Sequence, residues 1–435
     1  MTTDRDKKQA EVVQLYKDKN PSRCTLVLST GFGKGKVSID IIKWLKPTDI
    51  IILVNADLLR DSTWRAEFIK FGLKTVYDNR VTMVNYQTAY KWNRKDFGDL
   101  SNTLVIADEV DFAAGTKQFG KFFEEFKDVR TIGLTGFITE SKRSWFTTIL
   151  PILIEYDAIA AQDEGVLNKI QYIFIKYDLS RNPKDLKVTY KQNGVEKSFT
   201  QSQNNAYSYN EAKHQKIISD RRTVNKSYMM NQLNRGDYNK EIKNLKYLED
   251  MIVKTRSEIL LNNIGGAIIA KNLLNFLLKE NENNKIIVFS KRTKQSLEIC
   301  GEDYAYHGGV NKAKAAQNYH YFEVGAKRLM GVCDKVNRGA NIDKLNVAIF
   351  ESFDGSDTKA TQRFGRMMRL LPDEIAKVYI LLPYYMREEP DKTTFTLQET
   401  RQVEWARSMV RSSGATKENS VVWDYKTVKD EHLKV

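Results

Sequence analysis

Short, nearly unbroken runs of aliphatic and β-branched residues recur along this chain in two series, and stretches of helical or loop composition separate them. The first series is TLVLS (25–29), IIILVN (50–55), VTMVNY (81–86), TLVIAD (103–108) and TIGLT (131–135). The second is KIIVFS (285–290), YAYHG (304–308), RLMGVC (328–333), VAIFES (347–352) and VYILLP (378–383). A strand with one wet face alternates apolar and polar side chains. These runs do not alternate, so both of their faces must be covered. Strands buried on both faces and separated by helices build parallel sheets with helices on either side. The expected fold class is therefore α/β, with two parallel-sheet domains in tandem. A chain of 435 residues is long enough for two cores.

The region between the two series reads differently. KVTYKQNGVEKSFT (187–200) has the alternation and the central Asn-Gly of a β-hairpin. From about residue 211 to 278 the composition is helical and basic, with Gly236 and Gly265-Gly266 as the expected breaks. The expected boundaries are 1–165 for the first α/β domain and 166–283 for a linking strand, hairpin and basic, mostly helical insert. A second α/β core at 284–385 and a short tail at 386–435 complete the chain. The tail carries an amphipathic stretch, QETRQVEWARSMV, suited to packing back on the second domain.

Charge and composition narrow the partners. Net charge is +14, which favours a polyanion such as nucleic acid. No run approaches the length of apolar sequence that a membrane helix needs, and the charged start MTTDRDKKQAEVV lacks the apolar core of a secretory signal. The three cysteines, Cys24, Cys300 and Cys333, are far apart and form no CxxC, which argues against a disulfide framework or zinc site and fits a reducing cytoplasm.

The stretch after the first strand carries chemistry. LVLSTGFGKGKVSID (26–40) is a glycine-rich turn between a strand and a helix, where backbone N–H groups and a helix N-terminus cradle phosphate. It holds two overlapping Gly-x-Gly-Lys registers. Because the strand ends near Ser29, the turn is read as Thr30, Gly31, Phe32, Gly33, Lys34 and Gly35, with Lys34 favoured over Lys36 as the phosphate cation. The Ser or Thr that ordinarily follows this lysine and holds Mg²⁺ is absent, since the position is Gly35. Downstream, TLVIADEVD places Asp108 and Glu109 at the C-terminal end of a buried strand, facing the crevice where such sheets bind ligands. Asp108 is the candidate Mg²⁺ ligand and Glu109 the candidate that orients the attacking water.

STGFGKGK, DEVD and GLTG, in this order, resemble motifs I to III of the superfamily 2 helicases and translocases. KIIVFS resembles motif IV, GVCDKVNRGANIDKLNVAI motif V, and QRFGRMMR the Q-x-x-G-R-x-x-R of motif VI. The resemblance runs from about Gln9 to Pro383, leaving out the insert. It implies two RecA-like domains that bind ATP and Mg²⁺ in the cleft between them. Arg366 and Arg369, with Gln362, would act from the second domain on the developing phosphate charge. Gln9 falls where related enzymes read adenine, and Gly339 falls in motif V. Thr135 and Gly136 lie where relatives couple the ATP site to nucleic acid, although the usual Ser/Thr-Ala-Thr is here Thr-Gly-Phe.

The same resemblance implies a strand path across both domains. It would use Asn85, Gln87 and Thr88 in the first domain, and Arg292, Lys335 and Asn337 in the second. Trp64 and Trp92 fit buried packing better than base stacking. The motif flavour is most similar to phage recombination and branch-migration helicases and to the motor domains of type I restriction enzymes. The implied activity is ATP-dependent translocation or strand separation, with DNA favoured over RNA and no membrane partner. Nothing in the sequence names a protein partner, and a monomer is expected, in the cytoplasm of a cell or of a phage host. A different class of reading rests on Gly35: a module that binds nucleotide and nucleic acid but hydrolyses ATP weakly or not at all.

Overall fold

A computed structural model of the chain describes residues 3–55, 63–192, 195–333, 342, 344–352, 367, 370–384 and 403–425. The first sheet contains β1 (Arg23–Leu28), β2 (Asp49–Val54), β3 (Val81–Asn85), β4 (Thr103–Asp108), β5 (Arg130–Thr135) and β6 (Ile152–Tyr156). Its spatial order is β3-β2-β4-β5-β1-β6, and every pairing is parallel. The sequence shows five of these strands. The sixth, β6, escapes because it follows Pro151 at the sheet edge and is only half-buried along most of its length.

The second sheet is also parallel throughout. It takes β7 (Lys169–Asp178), then, beyond the hairpin strands β8 (Leu186–Gln192) and β9 (Val195–Gln201), β10 (Ile286–Phe289), β11 (Ala305–Tyr306), β12 (Leu329–Val332), β13 (Val347–Phe350), β14 (Ile375–Tyr384) and β15 (Ser420–Asp424). The order is β11-β12-β10-β13-β14-β7-β15. The segment that reads as a linking strand is thus an interior strand of this sheet, paired with β14 from Lys169↔Ile375 to Asp178↔Tyr384. The tail adds the edge strand, β15, on the other side of β7. A helical stretch at 403–410 buries Val403, Ala406 and Val410 in the same core as Tyr172 and Phe174.

β8 and β9 pair antiparallel with Gln192 opposite Val195, the register that a two-residue Asn-Gly turn sets. Helices α1 (Asp4–Lys19), α2 (Lys34–Leu45) and α3 (Trp64–Lys70) pack on the first sheet. The insert contributes α4 (Gln203–Met229) and α5 (Arg235–Leu261), and α6 (Ile264–Glu280) lies on the second sheet. The helical region breaks just before the expected glycines, at 230–234 and 262–263. Gly236 follows the cap Asn234, whose side chain accepts from Asp237 N, and Gly265 donates its own N–H to the cap Asn263 at 2.8 Å. Asparagine caps begin these helices, and the glycines sit in their first turns. Among the described residues, no helix is long and apolar enough to cross a membrane.

Candidate nucleotide site

Three loops meet at the C-terminal ends of adjacent strands β1, β5 and β4. This is the edge where parallel α/β sheets bind ligands. The loop after β1 turns sharply, with Phe32 N bonded to Ser29 O at 3.1 Å. Gly31 and Gly33 take φ of 91° and 96°, a left-handed conformation that glycine adopts without a Cβ penalty. Gly33 has a second reason to be glycine, because a Cβ there would stand 2.4 Å from Gln9 Nε2. Lys34 opens α2, and its Nζ reaches back to Leu28 O at 3.1 Å, over the mouth of the loop. Lys36 points elsewhere, to Asp40 at 3.4 Å and Asp6 at 3.9 Å. The geometry therefore leaves Lys34, and not Lys36, at the cradle.

Gln9 is buried on α1, and its amide donates to Phe32 O at 2.6 Å. Its Oε1 is buried and has no hydrogen-bond partner among the described residues, as expected of an acceptor kept for a ligand.

Asp108 ends β4. Burial pushes its carboxyl above the usual range; Lys34, the Trp64 indole and the Glu109 backbone N–H pull it back, and Asp111 pushes it further up. Trp64 Nε1 donates to Asp108 Oδ2 at 3.1 Å, and Glu109 N donates to Oδ1 at 3.1 Å. Glu109 has a φ of 51°, uncommon outside glycine and recurrent at functional sites. Asp111 is braced from the end of β5 and from the turn that follows it. Thr135 Oγ1 donates to Asp111 Oδ1 at 2.9 Å, and Lys142 Nζ donates to Asp111 O at 2.6 Å.

The Thr-Gly-Phe departure has a steric account. A Cβ on Gly136 would stand 2.9 Å from Thr30 Oγ1 and 3.7 Å from Lys34 Nζ, so an alanine would press on the phosphate loop. Thr30 and Gly136 thus go together.

Asn85 closes β3 half-buried, with Gln87 and Thr88 exposed just beyond it. Between them Tyr86 is buried and donates its hydroxyl to Asp108 O at 2.9 Å, tying this segment to the acidic loop. Arg292 is engaged by Glu258 of α5 in a short ion pair, which holds that carboxyl below its usual range. Trp64 lies in the first-domain core, and Trp92 packs against Phe97, Phe122 and Phe126. Lys335, Asn337, Gly339, Gln362, Arg366 and Arg369 lie outside the described residues.

The sequence does not single out Tyr86, Glu67, Asp111 or Lys142, and it gives Trp64 a packing role without its bond to Asp108. One signal was available. Trp64 and Glu67, three apart, share a helix face beside the motif region.

Residues 4–140 match the family model described as Type III restriction enzyme, res subunit, and residues 269–370 match that of the Helicase conserved C-terminal domain. The ATP-dependent RNA helicase SUB2 of Coccidioides immitis is 26% identical over 147 residues, 28% of this chain and 33% of that protein. The DEAD-box ATP-dependent RNA helicase 15 of Arabidopsis thaliana is 27% identical over 115 residues, 25% of this chain and 27% of that protein. The chain thus spans about a third or less of the length of these curated relatives.

Among solved structures, the ATP-dependent Type ISP restriction-modification enzyme LlaBIII bound to DNA aligns with a TM-score of 0.58 at 12% identity, over 96% of this chain and 31% of that one. S. cerevisiae Dbp5 bound to RNA and ADP BeF3 aligns with a TM-score of 0.52 at 12% identity, over 98% and 91%. At such identities the likeness is one of fold, and the fold is the tandem RecA-like pair. With matching models on both α/β halves and the phosphate and acidic loops at one sheet edge, the chain belongs to the superfamily 2 helicases and translocases.

Proposed function

We propose that the chain is an ATP-driven translocase or helicase acting on DNA. The observation that carries this reading is the convergence of Lys34, Asp108 and the Thr135–Gly136 turn at the ends of β1, β4 and β5. The residues present fit ATP and Mg²⁺: a glycine cradle, a buried amide oxygen kept free on Gln9, and a carboxylate whose burial disfavours its charge until a cation meets it. When bound, ATP supplies the phosphoanhydride and Mg²⁺ neutralises charge on its oxygens.

In this reading Lys34 places a point charge at the terminal phosphates. Asp108 holds the cation. Glu109, fixed by its backbone turn, orients water for attack, and Arg366 and Arg369 act from the second domain. Gln87 and Thr88 meet phosphates of the track, and Tyr86 passes their position to Asp108.

The charge of +14 suits either nucleic acid, and DNA is favoured as the track by the type III restriction match over the first domain. The RNA-helicase relatives favour the second reading, an RNA track. A cytoplasmic setting goes with either.

The test is steady-state ATP hydrolysis with Mg²⁺, alone and with single-stranded, duplex or forked DNA, or RNA. Stimulation by a DNA, abolished in Lys34→Ala and retained in Lys36→Ala, is expected. Stimulation by RNA alone would replace DNA as the track. Intact nucleotide and nucleic-acid binding with no turnover on any of them would leave a binding module.

A further inference from the structure

Gly35 removes the hydroxyl that would face the metal, and the structure fills that space from another element. A Cβ on Gly35 would stand 3.2 Å from both Cγ and Oε2 of Glu67 and 3.3 Å from its Cδ. The Glu67 carboxylate therefore lies against the place where a Ser or Thr side chain would begin. Three residues earlier on α3, Trp64 donates to Asp108, the candidate metal carboxylate. One face of α3 thus touches both positions that hold Mg²⁺ in a complete phosphate loop: the residue after the lysine, and the acid at the end of β4.

Glu67 is half-buried and, among the described residues, forms no hydrogen bond or ion pair through its carboxylate. The basic side chain nearest in sequence to Gly35 on the other side, Lys36, is turned to Asp40 and Asp6. The Glu67 oxygens are therefore available to a cation that reaches the end of the loop, and a carboxylate is a hard ligand of the kind such a cation takes.

We infer that Glu67 replaces the missing hydroxyl as an Mg²⁺ ligand, directly or through a bound water. This rests on the ATP-site reading above and goes beyond it. The replacement changes the chemistry, because a hydroxyl is neutral and a carboxylate is not. Without metal, Glu67 repels the triphosphate. With metal, it is a hard oxygen ligand of the kind Mg²⁺ prefers. Nucleotide binding becomes strongly metal-dependent, and Gly35 must stay small because a larger residue would displace Glu67.

The test measures binding of a fluorescent ATP analogue to the full chain with Mg²⁺ and with EDTA, and of Mn²⁺ to the ADP complex by electron paramagnetic resonance. In Glu67→Gln, metal-free nucleotide should bind as well as or better than in the parent. The gain on adding Mg²⁺ should shrink, and Mn²⁺ affinity should fall by about ten- to a hundredfold. The double variant Gly35→Thr/Glu67→Ala should recover the metal gain that Glu67→Ala loses. A parental metal gain in Glu67→Gln, or no recovery in the double variant, overturns the inference. Lys34→Ala separates the two failures. If it leaves nucleotide affinity unchanged, the ATP-site reading itself falls; if it weakens binding while Glu67→Gln behaves as the parent, only the role of Glu67 falls.

Discussion

At the scale of single residues, Trp64 is the side chain whose role is least visible before folding. Its ring fills the first-domain core, while its one polar atom restrains a carboxylate that burial already disfavours. Trp64→Phe keeps most of the packing and removes only the donor. Loss of a hydrogen bond to a buried carboxylate should cost about 1–3 kcal/mol, read by chemical denaturation. The bond lowers the Asp108 pKa, so removing it raises that pKa. If hydrolysis needs ionised Asp108, the acid limb of its pH profile should move to higher pH, and an unmoved limb would deny Asp108 that role.

At the scale of elements, α6 shows how closely a helix can be laid on a sheet when its first turn is glycine. A Cβ on Gly266 would meet Tyr177 Oη at 2.7 Å and Glu351 Oε1 at 3.2 Å. Both of those side chains are buried, so neither can swing aside into water. Gly266→Ala raises helix propensity yet should destabilise the second domain by about 1–3 kcal/mol through overpacking, measured by urea unfolding. Gly236, in the first turn of α5, would meet only the flank of its own cap Asn234 at 3.3 Å, so the same change there is not resisted by a packed sheet. Two glycines that look alike in the sequence differ because only one lies under a β-strand.

At the scale of the whole molecule, stability should vary with pH through Glu351. It is 2% exposed, and burial pushes its carboxyl up to about 8, with the neighbouring Ser352 and Ser290 hydroxyls pulling it back and Glu298 adding a small further push. The unfolded chain ionises this group near 4.5 and the folded chain only near 8. Between those values the folded state holds the extra proton, so stability falls as pH rises and levels off above the folded pKa. The slope should approach about 1.4 kcal/mol per pH unit from this group alone. Glu351→Gln should flatten the profile, and thermal unfolding of both proteins across that window would show it.

The local sequence determined the strands, since a run such as IIILV cannot remain in water and has no polar face to leave exposed. It also determined the glycine-rich turn after β1, because Gly31 and Gly33 permit a backbone that other residues resist, and the β8–β9 hairpin, whose strand-forming residues flank a central Asn-Gly in the sequence. Lys34 and Asp108 were legible for the same reason: each stands next to the strand end that positions it.

What the sequence left undecided was set by contacts between distant segments. β7 and β15 enter the second sheet through backbone pairing, which leaves no residue signature of its own. The placement of Glu67 beside Gly35 and of Trp64 on Asp108 depends on how α3 packs, and packing is a property of the assembled core. The likeness of Gly136 to a lost motif residue became a fit to Thr30 only when the two loops were brought together.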